Sequence, residues 1–512
     1  RAERWLEQST TKRPAPTRLQ ALYVAASLEL PKRKIKPRTA AITGVVAGLA
    51  IAVARFLGVL EPAELAAYDQ MLRLRPGEPQ DQRFLIVGVD EPSMRLLLRD
   101  YEPGKGTIPD SALSQVLARL NQSQPRLIGL DFYRDFDAQP ALAEQLRQTQ
   151  NLIAVCKSSF IDDQGSPRDG TSPPPEVGMD RVGYSDLVDD GNRFLRRQYL
   201  MQSADEKFCN TRSSLSLVLA QRYLAEENQP FISPLDADGA YVQDMGFGSV
   251  TIPQLLGSGS GYQDMGDRLR GYQTMLNYRV YRGNANAFAP AVSLEALLNN
   301  QVSPDLIRNR IVLIGITDRA DASADFWDTP YGEMPGVVAQ AQMTSQIISA
   351  VLDGRSLIWW WSVGVETLWL LAWSTAGAFI VRRSSDLRSL LIRLGGTVVV
   401  LWGTGYVILA LTHGWVPVVP PAIAIFLSGV GVSYLTYRLR QSLPKPSGLK
   451  LPNLLPNPKL NSVALARKPA FPAPTGAVGE PAAKGAAASD PAPSDLGSGD
   501  PGSGDLGSGD LG

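Results

Sequence analysis

Hydrophobic positions fall into three patterns along this chain, and each predicts a different kind of element. Four stretches, 39–60, 357–381, 390–411 and 416–437, are apolar for long enough to cross about 30 Å of hydrocarbon as helices. Arg55 interrupts the first near its far end, where a long side chain can snorkel to the interface. Gly44 and Gly48 in the same stretch form a small-xxx-small pair suited to packing against another helix. Ala52-Val53-Ala54 also has the form of a signal-peptide cleavage site, but residues 1–38 make too long a leader, so an uncleaved anchor is the favoured reading. Trp359, Trp360, Trp361 and Trp415 sit where an aromatic belt belongs.

Between the first and second spans, residues 61–356 carry short apolar runs that end in acids, separated by helix-period segments. Gln82 to Asp90, QRFLIVGVD, reads as a central strand over Phe84–Val89 with a carboxylate at its carboxyl end. Asp110 or Ser111 caps a helix that presents Leu113, Val116, Leu117 and Leu120 on one face. Arg126–Phe132 is a second strand, Pro140–Thr149 a helix, Asn151–Val155 a third strand and Arg310–Ile316 a fourth. Strands alternating with helices predict an α/β domain, a largely parallel sheet flanked by helices. Gln164–Pro175 reads as a surface loop, while Leu215–Leu224 and Gly336–Leu352 read as helices. GSGSG at Gly257–Gly261 lacks the Lys-Ser/Thr of a phosphate loop and reads as a flexible turn.

Charge orients this pattern. Lys32, Arg33, Lys34, Lys36 and Arg38 precede the first span, Arg382, Arg383, Arg388 and Arg393 follow the second, and Arg438, Arg440, Lys445 and Lys450 follow the fourth. Thr412–Trp415, between the third and fourth, has no Lys or Arg. All basic clusters fall on one side when both chain ends are cytoplasmic, which puts 61–356 outside the cytoplasm. Residues 1–38 then read as a cytoplasmic juxtamembrane segment, the end of a missing amino-terminal region. Residues 438–512, rich in Pro, Ala, Gly and Ser, read as a cytoplasmic low-complexity disordered tail without an output domain.

Composition mainly excludes. Over 512 residues, 50 basic and 50 acidic side chains cancel, which gives no support to a nucleic-acid partner. His413 is the single histidine, so a histidine-based triad, a multi-histidine metal site and a phosphoacceptor helix all lack their parts. Cys156 and Cys209 have no CxxC spacing. Outside the cytoplasm such cysteines either pair or stay buried as small hydrophobes, and a disulfide is the favoured outcome.

The candidate chemistry is acidic. Asp90, Glu91, Asp131 and Asp135 converge at the carboxyl edge of the sheet if their strands are parallel neighbours, and Thr317 and Asp318 reach the same edge. Such a crevice could hold a divalent cation such as Mg²⁺ or Ca²⁺, or a hydroxylated or cationic ligand. The competing assignment is that strand-end acids cap the next helix or turn. No other cofactor is expected. Thr329, Pro330, Pro335 and Gly336, ahead of the last helix of the domain, are either signal transmitters or a plain connector.

The ordered set RFLIVGVDEPSM at Arg83, RLIGLDFYRDF at Arg126, DDGNRFLRR at Asp189–Arg197, IVLIGIT at Ile311–Thr317 and DTPYGEMPGVVAQAQ at Asp328–Gln342 resembles the CHASE2 family of extracytoplasmic sensory domains. The resemblance covers about Leu65 to Gly354, and three membrane helices directly after the domain are a habit of the family. Where family members often carry a Trp-Pro-Arg type segment, this chain has YEPGKGTI at Tyr101–Ile108. The resemblance implies a bacterial inner-membrane receptor without catalytic activity of its own. It would bind a small-molecule or physical stimulus and signal to a cytoplasmic effector, alone or as a homodimer. A periplasmic metal-dependent hydrolase and a membrane scaffold are the alternatives from other classes.

Overall fold

The computed structural model describes residues 17, 20 and 34–441, less 103, 162–164, 192, 237–238, 240, 242, 258–260, 264–268, 320–324 and 385–386. Nearly all of segment 1–38, the tail beyond 441 and the centre of the GSGSG turn therefore lie outside the described residues. Arg438 to Gln441, assigned from sequence to the tail, instead continue the last helix.

Helix α1 (Pro37–Phe56) leads through a short turn into α2 (Glu61–Arg73), an amphipathic segment with Leu65, Tyr68, Met71 and Leu72 buried. The α/β pattern follows as β1 (Phe84–Val89), α3 (Glu91–Asp100), α4 (Asp110–Gln122), β2 (Leu127–Asp131), α5 (Pro140–Gln148), β3 (Leu152–Cys156) and β4 (Val182–Tyr184). After β5 (Arg197–Met201) and α6 (Leu215–Glu226) come β6 (Tyr272–Met275), β7 (Ala291–Ser293), α7 (Leu294–Leu298), β8 (Ile311–Ile316) and α8 (Gly336–Leu352).

The main sheet has the order β7-β1-β8-β2-β3-β4, and every adjacent pair is parallel. Side-chain alternation divides it into two faces. Phe84, Ile86, Leu127, Ile153, Val155, Ile311 and Leu313 join the core shared with α6 and α8, while Leu85, Val87, Ile128, Leu130, Ala154, Val312 and Ile314 join the core shared with α4, α5 and α7. Gly315 lets α8 approach, since a Cβ there would lie 2.5 Å from Val337 Cβ.

Two local expectations change. The strands β1 and β2 are not neighbours, because β8 lies between them; IVLIGI is buried at all six positions and takes an interior place. Asp110 does not cap its helix, whose N-cap is Pro109; its carboxylate accepts instead from Arg134 Nη2 at 2.8 Å and Gln139 N at 2.6 Å.

Helix α8 is buried along almost its whole length although it carries many polar residues. Buried polar groups must find partners, and here they stitch the helix to the 275–285 strand-and-loop segment. Gln342 accepts from Arg279 N at 3.0 Å and donates to Ala285 O at 2.9 Å; Gln346 accepts from Asn277 N at 2.7 Å and donates to Gln198 at 2.6 Å.

After the domain come α9 (Val363–Arg383), α10 (Leu387–Thr412) and α11 (Val419–Gln441). With α1 they make four helices, among the described residues, long and apolar enough to cross a membrane. Small residues let backbones meet in such bundles. A Cβ on Gly44 would stand 2.6 Å from Thr375 Cα and one on Gly377 2.9 Å from Ile425 Cα, so α1 and α11 both lie close on α9. Ser374 Oγ donates to Gly44 O at 2.7 Å across the first contact.

Arg55 does not snorkel. Its side chain is buried against α9 and ion-paired with Glu366. The sequence reading expects no embedded Asp, Glu or Lys in the three later spans, and Glu366, buried in the first turn of α9, corrects it. Trp415 also departs from the aromatic belt: it is fully buried, 4.3 Å from the Tyr68 ring and 5.8 Å from the Tyr262 ring.

Candidate functional site

A cleft of about 1000 Å³ opens at the carboxyl edge of the sheet, on the face shared with α8. Alternation in β2 and β3 sends Asp131, Val155 and, just past the strand, Lys157 to that face, and the first turn of α8 contributes Gly336 and Val337. Loops supply Tyr133, Asp186, Arg193 and Asp325, the short strand Phe326–Thr329 supplies Trp327, and β5 supplies Arg197 and Tyr199. This is where open α/β sheets place ligands.

Most charges around the cleft are matched. Arg193 Nη2 pairs with Asp325 Oδ1 at 2.6 Å, and its guanidinium lies 4.9 Å over the Trp327 ring. Asp325 Oδ2 also accepts from Trp327 Nε1 at 2.9 Å. Arg197 Nε binds Asp190 at 2.8 Å. Lys157 sits 4.5 Å over the Phe160 ring, and Asp186 accepts from Ser158 N at 3.1 Å. Asp131 differs. No donor is bonded to its half-buried carboxyl among the described residues, and burial together with the charge of Asp325 pushes it up to about 7.

The candidate acids therefore separate. Asp131 lines the cleft; Asp90 does not, because β8 stands between its strand and β2. Asp90 is the N-cap of α3, accepting from Ser93 N at 3.1 Å and Ser93 Oγ at 2.5 Å. Glu91 is exposed and pairs with Arg95 one turn on at 2.8 Å, and Asp135 is exposed outside the cleft. Thr317 is held by its N–H to Val89 O at 3.0 Å, over Gly88; it and the half-buried Asp318 follow β8 without lining the cleft. Among the described residues no three His, Cys, Asp or Glu side chains gather as a metal cluster. Cys156 ends β3 beside the cleft, and its sulfur lies 1.99 Å from that of Cys209.

The transmitter candidates form a hairpin of Phe326–Thr329 and Gly332–Pro335 that runs into α8. Thr329 Oγ accepts from Tyr331 N at 3.1 Å and donates to Gly332 O at 2.6 Å, while Gly332 takes φ +99°, a conformation suited to glycine. Pro330 at the tip accepts from Arg73, and Tyr331 Oη donates to Leu72 O at 2.7 Å, so the hairpin rests on α2.

Helix α2 is the element the sequence reading did not single out. On one side Asp69 receives Arg196 through Nε at 2.9 Å and Nη2 at 2.8 Å; Arg196 also binds Asp190, which holds the cleft residue Arg197. On the other side the Glu64 carboxylate accepts from Val418 N at 3.1 Å and Val419 N at 2.8 Å, capping α11. The i, i+5 pair Glu64 and Asp69 was visible as sequence; its two sets of partners, more than 100 residues away, were not.

Asp131 gives a pH prediction. An aspartate in the unfolded chain titrates near ~3.9, and in the folded chain Asp131 titrates about 7. The folded state thus binds the extra proton between these values. The contribution of Asp131 to stability is full below the unfolded value, falls as pH rises to about 7, and stays lost above it. Asp131→Asn is expected to stabilise the chain at pH 8 by about 1–3 kcal/mol, less than the full shift implies because the cleft is open to water. Thermal unfolding of both chains at pH 5 and pH 8 checks this; equal differences at the two pH values would remove Asp131 as the titrating group.

The family model described as CHASE2 domain matches residues 46–379. No curated protein and no solved structure matches the chain. CHASE2 is a family of sensory rather than catalytic domains. The match spans the domain, the cleft, α2 and most of the first two apolar helices, and the chain belongs to the CHASE2 family.

Proposed function

We propose that this chain is a multi-pass membrane sensor. Residues 61–356 lie outside the cytoplasm, the cleft at Asp131 takes a small-molecule stimulus, and occupancy is passed through α2 to the membrane helices and a cytoplasmic effector. The observation that carries this reading is that α2 is bonded at once to the charge network bordering the cleft, through Asp69, and to the start of α11, through Glu64. A ligand can shift an equilibrium only by its differential affinity for two states, and an element held by both parts is where such a difference can pass. The one-sided placement of the basic clusters supports the orientation. A disulfide between Cys156 and Cys209 agrees with an oxidising compartment.

The test uses the full chain in lipid nanodiscs with spin labels at Ile42 on α1 and Leu427 on α11, both exposed. A metabolite screen by thermal shift is expected to find a compound whose stabilisation requires Asp131. That compound should change the label-to-label distance, and Glu64→Gln should abolish the change without abolishing binding. A ligand that binds with no distance change removes the transmission route. For orientation, a membrane-impermeant thiol reagent should modify Ile161→Cys in sealed right-side-out vesicles; modification only after lysis would reverse the topology.

A further inference from the structure

We propose that the cleft is an organic-cation site, taking a small molecule whose protonated amine is held by Asp131 and Asp325; this rests on the sensor reading above. Burial decides the sign of the missing charge. Arg270 at the rim has no carboxylate partner among the described residues, and it is exposed, so water solvates it at little cost. Lys157 rests on the Phe160 ring near Asp186. At Asp131 the balance is different: this half-buried lining residue feels the charge of Asp325, and among the described residues the Arg193 guanidinium that pairs with Asp325 makes no bond to Asp131. A half-buried carboxyl that no described protein group bonds is left to water, and a donor brought by a ligand that displaces this water strengthens the interaction. An ammonium supplies three donors and the positive charge together.

The walls suit the rest of such a molecule. Tyr133 and Tyr199 present rings to the cleft, and aromatic faces attract cations. The cleft already stabilises its own cations in this way, Arg193 over Trp327 and Lys157 over Phe160. A volume of about 1000 Å³ matches a small organic molecule rather than a bare ion.

The experiment is calorimetric titration of the full chain in nanodiscs with ethanolamine, putrescine, agmatine and tyramine, and with 1,4-butanediol and succinate as neutral and anionic counterparts of putrescine. At least one amine should bind saturably, with affinity reduced tenfold or more in Asp131→Asn and changed less than twofold in Asp90→Asn, whose cap lies outside the cleft. The counterparts should not bind. If Asp131→Asn does not fold, Asp131→Glu replaces it, and moving the carboxylate by one carbon should alter the ranking of the amines. Should no amine bind while the diol, succinate or another screened metabolite does so in an Asp131-dependent way, the cation class is wrong and the sensor cleft survives. Equal amine binding by wild type and Asp131→Asn overturns the assignment of the site. Silence from every compound, in this titration and in the wider screen, overturns both readings.

Discussion

Replacing Asp190 by asparagine is expected to destabilise the sensor domain by about 3–5 kcal/mol, the scale on which removing one partner of a buried ion pair acts. The Asp190 side chain is 2 % exposed and serves three donors: Arg196 Nη1 at 2.8 Å, Arg197 Nε at 2.8 Å and Tyr262 Oη at 2.6 Å. An asparagine keeps the shape but loses the charge and turns one oxygen into a donor that faces donors. Arg196 retains Asp69, whereas Arg197, 1 % exposed, loses the Asp190 carboxylate and keeps Gln273 and the Asp189 carbonyl among its partners. With total stabilities of about 5–15 kcal/mol, this is a large fraction. Thermal unfolding of the detergent-solubilised full chain should show a midpoint lower by roughly 10 °C. A loss under about 1 kcal/mol would mean that the network is solvated and does not hold the cleft to α2.

A comparable loss is expected in the membrane bundle from Arg55→Leu. Glu366 would keep its burial and lose its counter-charge, while its second oxygen, Oε1, already lacks a partner among the described residues. Intramembrane charges persist where they are paired, so the single variant should cost about 3–5 kcal/mol. The double variant Arg55→Leu/Glu366→Leu should regain most of that loss, because the close contacts of Gly44 and Gly48 with α9 remain. Unfolding of the two single variants and the double in detergent, analysed as a thermodynamic cycle, gives the coupling directly. Additive effects would show that the pair does not act as a unit.

Elements defined by local patterns were legible in the chain. The strand Phe84–Val89 and the helix Gly336–Leu352 have the boundaries that apolar runs and helical spacing predict, and the third strand is displaced by one residue, to Leu152–Cys156. Each of the four apolar spans contains a long helix, but the second helix starts at Val363 rather than at 357, because Trp359–Trp360 pair as a short strand with Gly414–Trp415. These features rest on interactions within a few residues, which periodicity records. The short edge strands Val182–Tyr184 and Ala291–Ser293 gave no comparable signal, since three residues do not establish a period.

The candidate site was legible only as residue types. That acids end the first two strands is plain from the sequence; which of them share a cavity depends on strand order, and β8, arriving some 180 residues after β2, separates Asp90 from Asp131. Asp90 became a helix cap because Ser93 follows at the right spacing, and Asp131 became a cleft residue because alternation along β2 turns it to the face shared with α8. Asp325, Arg193 and Tyr133 come to the cleft from separate loops. Sequence alone thus determined the α/β domain, the four apolar helices and the distribution of charge about them, because hydrophobic burial is written residue by residue. Tertiary structure alone decided which carboxylates meet, that Arg55 meets Glu366, and that α2 joins cleft to bundle, because each depends on contacts between residues more than 100 positions apart.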